Sequence, residues 1–311
     1  MTVYIGRRGS LGMVIEATPG TTTALQHFIP FIECSLGEIH EPIADNSAKG
    51  VRDSEGSASM EGKKHGEGSI SVVLNATHSP YFFGLALGNI SSTLVADVYV
   101  HTITKKEDSV PRTATIWRDR SVDQVAFPYA VVDSLELNFA DDVASLVANV
   151  MSRYPIEGWT DTAVIETLEL YTFKNAYIEL TNGVTTSELK VKTFNLSIKN
   201  NAEMVYAPND NDVDRIVSKN FEVSGSFTVL FESETQKDAY TDLTKQALAV
   251  TFEGSDTGKI TITIPQFRLQ SAPISTPIDD INEQTAEFVA EYDGSDTITV
   301  EITNAVDSYY T

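Results

Sequence analysis

Apolar and polar residues alternate strictly along much of the chain. This is the period of two that a half-buried strand imposes, because successive side chains leave opposite faces of a sheet. The longest runs are 134–139, 193–198, 221–229 and 297–303, with shorter ones at 69–74, 176–180, 259–264 and 287–292. A helical period is visible at two places only. One is 79–87, opened by Ser79-Pro80; the other is 235–248, where Tyr240, Leu243, Ala247 and Leu248 would share one face. The pattern predicts a mainly β, antiparallel protein with two short helices.

The order of these segments repeats. A Gly-Ser strand, Gly68-Ser69-Ile70-Ser71-Val72, precedes the first helix, and another, Gly225-Ser226-Phe227-Thr228-Val229, precedes the second, 157 residues later. A polar stretch comes before each, at 40–66 and 200–218, and a hairpin is expected to close each half. The first hairpin would turn at Asp141-Asp142 between 135–139 and 144–150, the second at Asp293-Gly294 between 286–292 and 297–303. Tyr154-Pro155-Ile156-Glu157-Gly158-Trp159 interrupts the alternation. Two domains are therefore expected, 1–158 with an N-terminal arm and 159–311.

Splitting the alternating strands by parity separates an apolar face from a small, polar, mostly negative one. Leu135, Leu137 and Phe139, then Phe194, Leu196 and Ile198, then Phe288, Ala290 and Tyr292, then Ile298, Val300 and Ile302 lie on the first. Ser69, Ser71, Glu136, Asn138, Glu222, Ser224, Ser226, Thr228, Glu287, Glu291, Thr299, Glu301 and Thr303 lie on the second, with Lys190, Lys192 and Lys199 as exceptions to its negative character. A sandwich with one wet face accounts for any single strand. It does not explain why the polar face avoids aromatic and long apolar side chains in both halves.

Charge adds a constraint. The 311 residues carry 44 acidic and 22 basic side chains, a formal net charge of -22. A surface this negative cannot neutralise phosphates, which argues against wrapping nucleic acid or sitting on an anionic membrane through basic residues. Much of the charge is expected on the polar strand face. With 41% hydrophobic residues spread along the whole chain, a folded core is expected rather than disorder. Arg7 and Arg8 precede no apolar run, so no signal peptide is expected, and no apolar stretch approaches about 20 residues. Cys34, the single cysteine, excludes an intrachain disulfide, fits a reducing compartment and reads as a buried structural thiol.

Catalytic signatures are missing. His27, His40, His65, His78 and His101 stand singly, and neither a nucleotide-binding glycine loop nor a nucleophile elbow is present. Carboxylate pairs such as Asp141-Asp142 and Asp279-Asp280 fall at expected turns, so a hydrolase built on them has only the abundance of acids behind it. Asp210, Asp212 and Asp214 alternate like the first ligands of a calcium loop. The glycine and glutamate that complete an EF-hand are absent, and a solvated loop tip is the simpler account.

The opening Ile15-Glu16-Ala17-Thr18-Pro19-Gly20-Thr21, a strand over 28–39, the long polar loop, the Gly-Ser strand, the short helix and the closing hairpin resemble, in that order, the tail tube proteins of long, non-contractile-tailed phages. Residues 174–304 are similar to the second repeat of that family's two-domain members. The resemblance implies two tandem tail-tube-type β-sandwich or barrel domains, each with one short flanking helix, closing into a ring barrel on oligomerisation. Four strands per domain would build the barrel, at 28–39, 67–74, 131–139 and 144–152, then 189–199, 221–231, 285–292 and 297–303, with each helix outside it.

It implies a structural virion protein, not an enzyme, with no cofactor and no metal. Rings of three or six copies would stack into the tail tube, and viral DNA would pass without specific binding. Partners would be further copies, a tape measure protein, and tail terminator or distal tail proteins, without a membrane; assembly would take place in the host cytoplasm. Carried onto this chain, Glu136, Asn138, Glu222, Ser224, Glu287, Glu291, Thr299 and Glu301 would face the lumen. Asp45, Lys49, Arg52, Asp53, Asp210, Asp212, Asp214 and Arg215 would sit on the loops reaching the next ring. The competing reading is a β-sandwich adhesin or carbohydrate-binding module, whose aromatic platform would be Trp117, Trp159 or Tyr309-Tyr310.

Overall fold

The computed structural model describes residues 8–22, 27–44, 59–140, 143–157, 168–254, 257–278 and 281–309. The first half contains β1 (Ser10–Ile15), β2 (Gly37–His40), β3 (Lys64–Val73), α1 (Ser79–Leu87), β4 (Gly88–Val95), β5 (Val98–Lys105), β6 (Ala114–Asp119), β7 (Gln124–Phe139) and β8 (Ser145–Ser152). The second half contains β9 (Ala176–Asn182), β10 (Thr185–Glu188), β11 (Val191–Lys199), β12 (Glu203–Tyr206), β13 (Val213–Val217), β14 (Glu222–Leu230), α2 (Thr235–Thr241), β15 (Gln246–Glu253), β16 (Lys259–Ser271), β17 (Glu283–Ala290) and β18 (Thr299–Asn304). Two-residue extended pieces at 33–34 and 274–275 prolong the edges formed by β2 and β16.

Eight of these strands form one antiparallel layer in the order β2-β3-β8-β7-β11-β14-β17-β16. The half-chain order β2-β3-β8-β7 thus recurs as β11-β14-β17-β16. The halves join where β7 meets β11, with Leu135 opposite Ile198 and Leu137 opposite Leu196. Two smaller ladders recur in the same way: β1-β6-β7 in the first half and β9-β15-β16 in the second. The second ladder continues through β18 into the β5-β4 hairpin, so strands from both halves share this layer too.

Both long strands, β7 and β16, pass from one layer to the other. Each carries bulges, and each has a proline at the bend, Pro128 and Pro265, where a missing N–H is tolerated because the ladder is already broken. One apolar cluster fills the space between the layers and draws on both halves. Phe139 meets Phe252 edge-on at 5.7 Å, and Phe288 packs with Phe194, Phe227 and Phe267. Burying each such ring stabilises the fold by about 1.5–3 kcal/mol.

Several expectations need correction. The strand expected at 28–39 is broken, since β2 begins at Gly37 and Cys34 lies on a two-residue piece, half-buried rather than fully buried. Burial pushes its thiol pKa up. The second helix ends at Thr241 instead of running to Leu248. Leu243 has φ +52, and Ala247 and Leu248 belong to β15, where pairing with β9 and β16 outweighs local helical preference. Helix α1 forms over the expected residues and is buried on every side, packed on β7, β5 and β4.

The second closing hairpin does not form either. β17 and β18 do not pair, because β16 lies between them, bonding β18 along its first half and β17 along its last. The counterpart of the β7-β8 hairpin is the β16-β17 pair, and β18 is an additional strand. The β4-β5 hairpin, turning at Ala96 and Asp97 with φ +47 and +72, is a first-half insertion that no expectation included.

Candidate functional site

The apolar side of the eight-stranded layer is sealed against the core, so its chemistry lies on the other side. Register aligns that side into rows, since directly paired residues project to one face. One row runs Glu33, Ser71, Val147, Glu136, Ser197, Ser224, Val289, Arg268; the next runs Val73, Ser145, Asn138, Asn195, Ser226, Glu287, Ser271. Ser69, Asn149, Ser134, Lys199 and Glu222 form a third, and Thr193, Thr228 and Thr285 a fourth. Neighbours bond across strands: Asn149 donates to Ser134 Oγ at 2.8 Å, Thr228 and Thr285 hydroxyls are 3.1 Å apart, and Ser271 donates to Glu287 at 2.9 Å. The face dips at its centre, around Glu136, Asn138, Asn195, Ser224, Ser226 and Glu287.

Six of the eight lumen candidates, Glu136, Asn138, Glu222, Ser224, Glu287 and Glu291, meet on this side. Thr299 and Glu301 do not. They sit on β18 in the other layer, pointing away from the shared core into which Ile298, Val300 and Ile302 project. Glu291 is also partly neutralised: Gln266 donates to it at 2.9 Å, Arg268 lies 3.2 Å away and Lys245 3.4 Å. Tyr292, expected on the apolar face, is 59% exposed just beyond β17.

Residues 200–218 are not an open loop. β12 and β13 form a hairpin that folds back onto β7 and β8 of the first half, with Val213 and Ile216 buried on Tyr129 and Val131 and with Met151 packed beside them. Arg153 holds it, donating to the carbonyls of Val213 at 2.9 Å and Asp214 at 2.7 Å while its guanidinium lies over the Tyr129 ring. Asp212 accepts from the Tyr154 and Val213 N–H groups, Asp210 from the Asp212 N–H, and Asp214 pairs with Arg215. The three carboxylates thus serve separate local bonds. Among the described residues no group of three or more His, Cys, Asp or Glu side chains is placed to hold a metal ion. Asp210 and Arg215 remain exposed, whereas Asp45, Lys49, Arg52 and Asp53 lie outside the described residues.

Tyr129 is placed by a residue that sequence reasoning passed over. It follows Pro128 in β7 with φ +56, which frees its N–H from the ladder, and Glu16 accepts that N–H at 2.9 Å. The same buried carboxylate accepts from the Gly20 N–H and from the hydroxyls of Thr113 and Thr115, each at 2.7 Å. Gly20, at φ +77, makes the tight turn possible. The Glu-Ala-Thr-Pro-Gly segment is therefore a clamp on the bend of β7.

Neither described aromatic candidate offers a platform for sugars. Trp117 is 4% exposed on β6, and Tyr309 is buried beside His101 and Tyr81; Trp159 and Tyr310 lie outside the described residues. No described helix is long and apolar enough to cross a membrane. No curated protein matches the chain. A family model described as phage tail tube protein matches residues 6–304, nearly the whole length, over a fold that is β-rich with two short helices. The chain belongs to the phage tail tube protein family, and its role is that of a structural component of the virion tail.

Proposed function

We propose that residues 1–158 and 159–311 act as two tandem tube-type domains, and that the polar side of the eight-stranded layer lines the channel through which viral DNA passes. The observation carrying this reading is the repeated strand order, β2-β3-β8-β7 then β11-β14-β17-β16, with both blocks joined in one continuous antiparallel sheet. Three copies would supply twenty-four strands. At about 4.8 Å spacing and about 40° tilt, their barrel would be about 48 Å across its backbone, wide enough for a duplex once side chains are added. Closure would also remove sheet edges that otherwise invite uncontrolled pairing.

The lining suits passage without adhesion. It is dominated by serine, threonine and asparagine, and among the described residues its charges outside ion pairs are Glu33, Glu136, Glu222 and Glu287 against Lys199, an excess of negative charge that would repel phosphate. Rings would stack through the loop ends, with exposed Asp210 and Arg215 and the stretch containing Asp45, Lys49, Arg52 and Asp53 as contact candidates. The ends of the tube would meet a tape measure protein and terminator or distal tail proteins, after assembly in the host cytoplasm. Class averages of assembled particles viewed down the axis test the reading. A closed three-fold ring with six similar lobes is expected; a ring of six whole chains, or no ring or tube, would overturn it.

A further inference from the structure

Resting on the ring reading above, we infer that successive copies are joined by an antiparallel ladder between residues 37–40 of one copy and 270–273 of the next, with Glu38 opposite Ala272; the ladder stops short of Leu36, whose carbonyl accepts from Arg118 and Arg120. The chain contains its own template for this joint in the β7-β11 ladder, where Ser134 faces Lys199 and Leu135 faces Ile198.

Register carries the template to the free edges. Gly68 faces Val150 and Gly225 faces Phe288, so Val150 and Phe288 are counterparts. Their partners Val132 and Leu269 then correspond, as do Ser134 and Ser271 one step on. On the other side, Ile39 faces His65, three residues before Gly68, and Lys199 faces Glu222, three before Gly225. Ile39 is thus the counterpart of Lys199, and the pair Ser134–Lys199 maps onto Ser271–Ile39.

Backbone direction agrees independently. The Glu41 N–H donates inward to Lys63 at 2.9 Å and the Pro273 carbonyl accepts inward from Thr285 at 3.3 Å. By strand alternation, the backbone polar groups of Glu38, His40 and Ile274 and the N–H of Ala272 turn to the open edges, while the Ala272 carbonyl already accepts from Gln284 Nε2 at 3.1 Å and has one lone pair left for the joint; Glu38 and Ala272 then stand at a hydrogen-bonded position of the new ladder. The N–H that Pro273 lacks would have faced β17, so the new ladder loses nothing there. Among the described residues no strand pairs with either edge on its outer side. Ile274, the counterpart of buried Leu137, is 36% exposed, and the joint would bring it over Leu36.

The test is disulfide trapping in a Cys34→Ser chain. Ile39→Cys with Ser271→Cys places two thiols at a non-hydrogen-bonded pair, about 4.5 Å between Cα atoms, within disulfide reach. Ser134→Cys with Lys199→Cys is the intrachain control, expected to close in every copy whether or not it assembles. Oxidised particles of the first variant should give covalent dimers and trimers on a non-reducing gel. Rings visible by electron microscopy without those products, while the control closes, would overturn this joint and leave the ring reading standing. Cross-linking through Gly37→Cys with Ser271→Cys instead would overturn the register. Absence of rings in the unmodified protein would remove the ring reading itself, and this joint with it.

Discussion

Glu16→Ala is expected to be among the most damaging single substitutions in the chain. The carboxylate is 2% exposed and accepts four hydrogen bonds, two from backbone N–H groups of Gly20 and Tyr129 and two from threonine hydroxyls. The hydroxyls of Thr113 and Thr115 can rotate to other acceptors, but the two N–H groups are fixed by backbone at φ +77 and +56. Each buried donor left without an acceptor costs about 1–3 kcal/mol, so a loss of about 4 kcal/mol follows. Against a typical stability of about 5–15 kcal/mol, and at about 2–4 °C per kcal/mol for a chain of this order of size, the melting temperature should fall by about 10 °C. Thr115→Val removes one donor and leaves the carboxylate three, so it should cost about 1 kcal/mol. Denaturant unfolding of both variants and of their double mutant measures the values and their coupling. A Glu16→Ala chain within about 1 kcal/mol of the parent would refute the argument that this carboxylate holds the bend of β7.

Arg153→Ala should leave the sheets intact but release the β12-β13 hairpin, read as faster amide exchange over 203–217 with little change elsewhere. Gly225→Ala should destabilise by about 1–3 kcal/mol in denaturant unfolding, because an added Cβ would stand 2.5 Å from Phe288 Cζ and against the Asn195 carbonyl. Burial holds the His101 pKa below its ordinary value, while its Nε2–H donates to Asn304 at 3.0 Å and its Nδ1 lies 2.8 Å from the Ser92 hydroxyl. The unfolded chain therefore binds this proton more readily, and stability should fall as pH drops through about 6.5; melting curves from about pH 7 to 5 should show a smaller fall for His101→Gln. Glu136→Lys with Glu287→Lys should slow DNA ejection, whereas Glu301→Lys, on the other layer, should not; equal effects from both would remove the assigned lining.

Strands were legible where one face is buried and the other wet, because that environment writes a period of two directly into the residues: β3, β8, β11, β14 and β18 fall within a few residues of expectation. What local pattern could not reveal was partnership. Asp293-Gly294 is a reasonable turn signal between two good strands, yet β16 inserts between them, a choice made by packing some 30 residues away. A usable signal did exist in the paired prolines at 128 and 265, each followed by a strand in the eight-stranded layer, which mark β7 and β16 as counterparts. The 200–218 segment looked like a polar loop because Asn209 to Asp214 dominate its middle, although Met204, Tyr206, Val213 and Ile216 on either side form its anchoring cluster. Lumen candidates chosen by parity were placed together where strand pairing held and separated at β18, where it did not.

The expectation that much of the -22 charge lies on the polar strand face also changes. Among the described residues that side carries Glu33, Glu67, Glu136, Glu222, Glu283, Glu287 and Glu291 against Lys192, Lys199, Lys245 and Arg268, a net of about -3 per chain. Most of the 44 acids therefore lie elsewhere. At physiological salt, fields from exposed charges fade within about 8 Å, so under the proposed function repulsion would act only on duplex that nears the wall. If this face lines the channel, adhesion over the rest of the surface would be limited by the scarcity of cations and aromatic planes, the two groups that grip phosphates and bases. On this account each glutamate-to-lysine change acts twice, removing one repulsive charge and supplying one attractive one. Two such changes leave the face slightly positive, so the effect on passage should come chiefly from the new lysines, and should weaken steeply as salt rises.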